Sequence, residues 1–243
     1  MAVATPETTE PRVVLVTGGN RGIGKCIADA FRAQGDRVII TYRTGAAPEG
    51  VDAVQCDVSS TDSVDAAFKE IEKTWGPVEV LVANAGITKD TLLMRMSEDD
   101  FTSVLDTNLV GAFRVAKRAT KGFLKLKRGR IIFISSVVGF TGAPGQANYA
   151  SSKAGLTGMA RAITRELGAR NVTANVVAPG YITTDMTAEL PGDVTATYKA
   201  SIPAGRFGDA EEVANAVQWL ASPGAGYVNG TVIRVDGGLA MGL

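Results

Sequence analysis

The stretch Val13-Val14-Leu15-Val16-Thr17-Gly18-Gly19-Asn20-Arg21-Gly22-Ile23-Gly24 decides how the rest of the chain is read. A β-branched run, suited to a buried strand, passes directly into TGxxxGxG at Thr17, Gly18, Gly22 and Gly24, then into a helical pattern reaching about Ala33. Glycines let the backbone turn tightly and approach a ligand, and the exposed N–H groups at the start of the helix favour an anion. The order strand, glycine turn, helix is that of a pyrophosphate cradle for a dinucleotide; without those flanks the text would be only a glycine-rich turn.

Outward from this unit the pattern repeats. RVIIT (Arg37–Thr41), AVQCDV (Ala53–Val58), a helix across Ser63–Thr74 and VEVLVANAG (Val78–Gly86) complete the first half. A long helical stretch from about Glu98 to Lys127, the strand RIIFISS (Arg130–Ser136), a helix over Tyr149–Leu167, VTANVVAPG (Val172–Gly180) and VIRVDGG (Val232–Gly238) follow. Seven strands alternating with helices predict an α/β fold: a doubly wound Rossmann fold whose seven-stranded parallel sheet carries helices on both faces. The expectation is a single domain over residues 12–243, preceded by a flexible tail at 1–11, MAVATPETTEP, too poor in large apolar groups to order itself. The stretch 183–208 holds Pro191, Gly192, Pro203, Gly205 and Gly208 with weak periodicity, and reads as a substrate loop or lid.

Composition narrows the chemistry. Of 243 residues, 45% are apolar, enough for a sizeable core, and 25 Lys and Arg balance 25 Asp and Glu, so no overall field favours nucleic acid. There is no histidine, which excludes Ser-His-Asp hydrolysis and histidine-bound zinc. Cys26 and Cys56 have no metal or disulfide spacing and read as small core residues. No metal is expected. With no apolar run long enough to span a bilayer and no secretory layout at the N-terminus, no membrane insertion is expected and the cytoplasm is the default location.

An acidic residue about twenty positions beyond the glycines would hold an unphosphorylated ribose. Between Arg37 and Pro48 there is no Asp or Glu, and the second strand ends Thr41-Tyr42-Arg43. Arg43, with Arg21 from the glycine turn, can hold a 2′-phosphate through charge-assisted bonds, which favours NADP(H) over NAD(H); the alternative is two solvated arginines.

Tyr149 and Lys153 lie four apart in a helical stretch, hence on one face one turn apart. Lowering a tyrosine from about 10 by about three pH units takes roughly 4 kcal/mol of preferential phenolate stabilisation, which a neighbouring ammonium can supply. Ser136 closes the strand RIIFISS thirteen residues earlier, at a carboxyl end of the sheet where ligands of open α/β folds bind. Ser135 should point to the other side and is the weaker candidate.

Together, TGxxxGxG, NAG at Asn84-Ala85-Gly86, Asn108, Ser136, the YxxxK of Tyr149 and Lys153, and Pro179-Gly180 resemble the short-chain dehydrogenase/reductase family over residues 12–243. LVTGGNRGIG, GRIIFISSVVG, GQANYASSKAG and NVVAPGYITTDM further resemble its 3-oxoacyl-acyl-carrier-protein reductases, particularly actinobacterial ones. The resemblance implies that Tyr149 donates a proton, Lys153 lowers its pKa and binds the nicotinamide ribose, and Ser136 orients substrate. It implies for Asn108 a water-linked proton relay, against the plainer role of a helix-bending contact. The implied cofactor contacts are Gly18, Asn20, Arg21, Gly22 and Ile23 at the turn, Arg43, then Asp57 and Val58 at the adenine. Asn84, Ala85 and Gly86 follow on the adenosine side, unless NAG only ties strand to strand, with Tyr149 and Lys153. Pro179, Gly180, Ile182 and Thr184 would meet the nicotinamide amide and pyrophosphate.

The implied activity is NADPH-dependent reduction of a 3-oxoacyl chain on acyl carrier protein in fatty-acid elongation. A reductase of CoA-linked or free ketones, or a catalytically silent NADP-binding sensor, shares these motifs. Lys125, Lys127, Arg128, Arg130 and Arg170 can offer a basic surface to an acidic carrier, or be a solvated face. The helices around Tyr149 and Glu98–Lys127 resemble the family's paired interface helices and imply a homotetramer. From Arg21, Arg43 and the missing acid, Arg43→Ala should raise the Michaelis constant for NADPH far more than that for NADH. Wild-type protein using NADH as efficiently as NADPH would contradict the cofactor assignment.

Overall fold

In the computed structural model, residues 11–45, 49–183 and 192–242 are described. The expected tail at 1–11 thus falls outside them except for Pro11, as does most of the proline- and glycine-bearing start of the 183–208 loop.

Seven strands form one sheet: β1 (Val13–Val16), β2 (Arg37–Tyr42), β3 (Asp52–Gln55), β4 (Val80–Ala83), β5 (Gly129–Ile134), β6 (Val172–Pro179) and β7 (Val232–Val235). They lie in the order β3-β2-β1-β4-β5-β6-β7, every pairing parallel, as the alternation of strands and helices requires. Alternate residues of each strand serve opposite faces. Leu15, Ile39, Leu81, Ile131, Phe133 and Val176 meet helices α2 (Thr61–Thr74), α4 (Gly111–Leu126) and α6 (Ala147–Leu167). Val14, Val16, Ile40, Val82, Ile132 and Val177 meet α1 (Gly22–Ala33) and α8 (Ala210–Ala221). With both faces covered, β1 and β4 at the centre of the sheet are apolar and buried throughout rather than alternating.

Three expectations need correction. The stretch 98–127 is interrupted: α3 (Glu98–Leu105) passes through a π-helical turn, Asp106–Val110, into α4. A π turn inserts one extra residue, and here it carries Asn108 inward, where the residue is buried. The segment 183–208, read as irregular, contains α7 (Gly192–Ser201). The stretch AEEVANAVQWLA, to which the sequence reading assigns no element, is α8; the Asp209 and Glu212 side chains close a capping box at its start, and Val213, Val217 and Leu220 are buried. A short helix α5 (Val138–Thr141) completes the elements used below.

Packing fixes the glycine turn. Gly18 and Gly22 have φ of 63° and 54°, open to glycine at little cost. Gly24 is demanded by proximity: a Cβ there would collide with the Asn84 amide and the Gly18 carbonyl.

Candidate active site

The parallel strands deliver their carboxyl ends to one edge, and side chains after those ends tie neighbouring strands together. Thr17 Oγ1, after β1, accepts from the N–H groups of Asn84 (3.0 Å) and Ala85 (3.1 Å), after β4. The Asn84 side-chain amide donates to the carbonyls of Thr17 (2.9 Å) and Gly18 (3.1 Å). The Val137 N–H, after β5, donates to the carbonyl of Pro179 at the end of β6 (3.0 Å).

The first turn of α1 fits a dinucleotide phosphate. Arg21 at its N-cap has extended backbone, no side chain caps the N–H groups, and no acidic residue lies in the first turn. The positive end of the helix dipole is therefore left for an external anion. A Cβ on Gly22 would meet nothing within 4 Å, so the turn opens outward. Asn20, Arg21 and Arg43 are exposed around it, Ile23 is half-buried, and neither arginine forms a salt bridge among the described residues. Arg43 lies near Asp57, whose carboxyl is held below the usual range first by the Ser59 hydroxyl and in smaller part by Arg43. Val58 is buried against Gly111. Gly180 lies against Asp236, Ile182 is buried and pairs with Gly208, and Thr184 lies outside the described residues.

Ser136, Tyr149 and Lys153 come together beyond β5. Strand β5 ends at Ile134, two residues before Ser136, whose Oγ accepts from the Val138 N–H (3.2 Å) at the start of α5. The Ser136 hydroxyl faces the Tyr149 phenol and favours its ionised form. Ser135 is buried and donates to the Lys153 carbonyl (2.9 Å), which fastens α6 to the end of β5. Lys153 is 5% exposed; its Nζ donates to the Ile134 carbonyl (2.8 Å) and stands 5.5 Å from the centre of the Tyr149 ring.

Burial pushes the Lys153 ammonium down to about 8. Tyr149 departs from the simple expectation of a lowered phenol. Burial raises it, more than the facing Ser136 hydroxyl lowers it, and Asp90 adds to the rise. The free protein thus holds Tyr149 protonated, the state of a proton donor.

Asn108 is fully engaged. Its Oδ1 accepts from the Ile87 N–H (2.8 Å), and its Nδ2 donates to the Ile87 carbonyl (3.0 Å) and to Ser152 Oγ (3.1 Å). Ser152 in turn donates to the Tyr149 carbonyl (2.7 Å). Both hydrogens of the amide are spent, so any water bound there would use oxygen lone pairs. A Cβ on Gly86 would stand 3.1 Å from Asn108 Oδ1 and 3.6 Å from Lys153 Nζ, so the glycine keeps open the space between them. The Ile134 carbonyl, Ser152 and buried Asn148, whose amide donates to the Lys89 and Asp100 carbonyls, escape sequence reasoning. A backbone carbonyl leaves no residue-type signal. Asn148 and Ser152 share the i, i+4 spacing of Tyr149 and Lys153, one residue earlier.

The basic run is elsewhere. Lys125, Lys127, Arg128 and Arg130 stand at the amino end of β5, the strand's whole length (roughly 20 Å) from Ser136. Arg128 is paired with Glu79 (2.7 Å), and Arg130 donates to the carbonyls of Gly129 and Asn171.

Comparison with known proteins agrees with this geometry. A family model described as Enoyl-(Acyl carrier protein) reductase matches residues 18–240. The chain is 55% identical over 231 residues to the 3-oxoacyl-[acyl-carrier-protein] reductase MabA of Mycobacterium avium, covering 95% of this chain and 91% of that one. It is 54% identical over 244 residues to MabA of Mycobacterium tuberculosis, covering 99% of both. With the 3-oxoacyl-[acyl-carrier-protein] reductase FabG of Escherichia coli the identity is 42% over 240 residues, covering 96% of this chain and 98% of that one. A glycine turn with an uncapped helix start, a Ser-Tyr-Lys cluster at the carboxyl edge and matches over nearly the whole length place this chain in the short-chain dehydrogenase/reductase family.

Proposed function

We propose that the chain reduces 3-oxoacyl thioesters on acyl carrier protein to 3-hydroxyacyl thioesters with NADPH, in fatty-acid elongation. The observation that carries this reading is the convergence of two hydroxyls, Ser136 and Tyr149, with the buried Lys153 ammonium. That set is suited to a carbonyl oxygen as it gains negative charge. Bound NADPH supplies the hydride to the carbonyl carbon. Tyr149 gives its proton to the oxygen, completing the alcohol; Ser136 donates a hydrogen bond that orients the same oxygen; Lys153 stabilises the phenolate left behind. Asn108 and Ser152 hold the Ile87 backbone against the Tyr149 turn, and the space beside Gly86 joins Asn108 to Lys153 for proton resupply.

NADP(H) rather than NAD(H) is supported by Arg21 and Arg43, exposed beside the turn, and by Thr41-Tyr42-Arg43 where an acid would hold a free ribose. The adenosine contacts of Asp57, Val58, Asn84, Ala85 and Gly86, and those of Pro179, Gly180, Ile182 and Thr184, belong to the same reading. For Asn84 the reading narrows to what its committed amide leaves free. The reading includes a homotetramer: Val110, Phe113 and Leu124 are 38%, 48% and 43% exposed along the π turn and α4, and edge strand β7 is only half-buried. The free thiols of Cys26 and Cys56, both pushed up to about 11 chiefly by burial, suit a reducing cytoplasm. Among the described residues no helix is long and apolar enough to cross a membrane.

The description of the matching family favours a second reading, reduction of an enoyl double bond. Turnover of a 3-oxoacyl and a 2-enoyl thioester, each on carrier protein and on CoA, separates the readings. The 3-oxoacyl carrier substrate should be reduced fastest, and Tyr149→Phe should lower that rate at least about a hundredfold. Preferential enoyl turnover, or near-normal turnover by Tyr149→Phe, would overturn the proposal.

The pH dependence has a definite sign. Lys153 is charged below about 8 and neutral above, so reduction should weaken as pH rises through that value. The profile should be read as that of the Tyr149–Lys153 pair. A rate flat from pH 7 to 10 would remove the Lys153 charge from the mechanism.

A further inference from the structure

Where the chain leaves β6 after Pro179 and Gly180, three aromatic rings from separate points in the sequence meet. Tyr181 stacks on Tyr198 of α7 with ring centroids 4.5 Å apart and planes 19° apart, and on Phe207 at 5.6 Å and 29°. The Lys199 ammonium lies 5.6 Å from the centre of Phe207. Offset-stacked rings at these separations contribute beyond the area they bury.

These rings lie at the neck of the 183–208 excursion. Its two ends are stitched together: Ile182 pairs with Gly208, the Gly208 N–H donates to the Tyr181 carbonyl (2.9 Å), and the Thr183 N–H donates to the Gly208 carbonyl (2.8 Å). The returning limb is fixed too. Ile202 and Phe207 are buried, and the Ala204 N–H donates to the Gly237 carbonyl (3.0 Å). Across residues 195–201 of α7 only Thr195 and Tyr198 are even half-buried. Among those residues Tyr198 brings the one aromatic ring, and it stacks at the sheet edge. That edge borders the cluster described above, because Pro179 accepts from Val137, the neighbour of Ser136.

We propose that Tyr198 is a positioning residue for substrate: stacked on Tyr181, it docks α7 at the carboxyl edge beside Ser136 and so sets one wall of the substrate site. This rests on the reductase reading. Tyr198 acts through Tyr181 and α7 and touches no reacting atom. Because stacking rather than the hydroxyl does the docking, phenylalanine should replace it and leucine should not.

The test compares Tyr198→Ala, Tyr198→Leu and Tyr198→Phe in the full chain. It reads substrate KM and kcat with a 3-oxoacyl thioester, KM for NADPH, melting temperature, and amide hydrogen exchange over 195–201. Alanine and leucine should raise substrate KM about threefold to tenfold and speed exchange, with melting temperature and NADPH KM unchanged. Phenylalanine should restore both. Unchanged exchange and KM in the alanine and leucine variants, or a phenylalanine variant as impaired as alanine, would overturn the proposal. Wild-type protein inactive on every 3-oxoacyl thioester would sink the reductase reading instead, and the exchange measurement would still decide whether the stack docks α7.

Discussion

The carboxyl edge is organised around a buried ammonium. Lys153 is 5% exposed and has the Ile134 carbonyl as its bond, with no carboxylate in ion-pair range among the described residues. Burial takes it from 10.5 to about 8, corresponding to roughly 3 kcal/mol against the charged form. Its neighbours hold the charge in one place. Ser135 binds its carbonyl, Gly86 leaves room for its head, and Gly139 lets α5 press on α6 so closely that a Cβ would come within 2.9 Å of the Ala154 nitrogen.

The same edge is braced from strand to strand. Thr17 and Asn84 lock β1 to β4, Val137 and Pro179 lock β5 to β6, and Asn108 locks the π turn to Ile87 and to the Tyr149 helix through Ser152. Thr17, Val137, Asn108 and Ser152 in these braces are buried, while Ser136 and Tyr149 remain half-buried and the first turn of α1 keeps its N–H groups uncapped. A scaffold that holds polar groups rigidly near unspent donors is what charge stabilisation in a transition state requires.

Much of this was legible in the sequence because the signals are periodic. VVLVT, RIIFI and VTANVV report a two-faced buried sheet, and TGxxxGxG reports a turn whose φ values only glycine adopts easily. Tyr149 and Lys153 announce themselves by spacing. The misses have physical reasons. GDVTATYKAS shows no apolar period, and the stack of Tyr198 on Tyr181 that α7 brings is an interaction without a period. The π turn at Asn108 has no periodic signal, and its partners Ile87 and Ser152 lie 21 and 44 residues away in the chain. The Lys125–Arg130 run precedes Ser136 closely in sequence yet lies far from it in space, because a strand carries the chain across the whole sheet in six residues. The spacing of Tyr149 and Lys153 predicts a lowered phenol, whereas burial, invisible in sequence, raises it in the free protein.

If Lys153 is retained for chemistry at the expense of stability, replacing it should separate the two. Lys153→Met removes the buried charge and keeps an unbranched chain of similar bulk. At pH 7 the variant should melt higher than wild type, by about 2 to 4 °C for each kcal/mol recovered, while turnover falls at least about a hundredfold. The folded-state pKa is the depressed one, so the penalty is full below about 8 and is relieved as pH rises toward 10.5; the gain in melting temperature should fade over that window. A Lys153→Met protein that melts at or below the wild-type temperature at pH 7, or that keeps turnover within tenfold of wild type, would contradict the account.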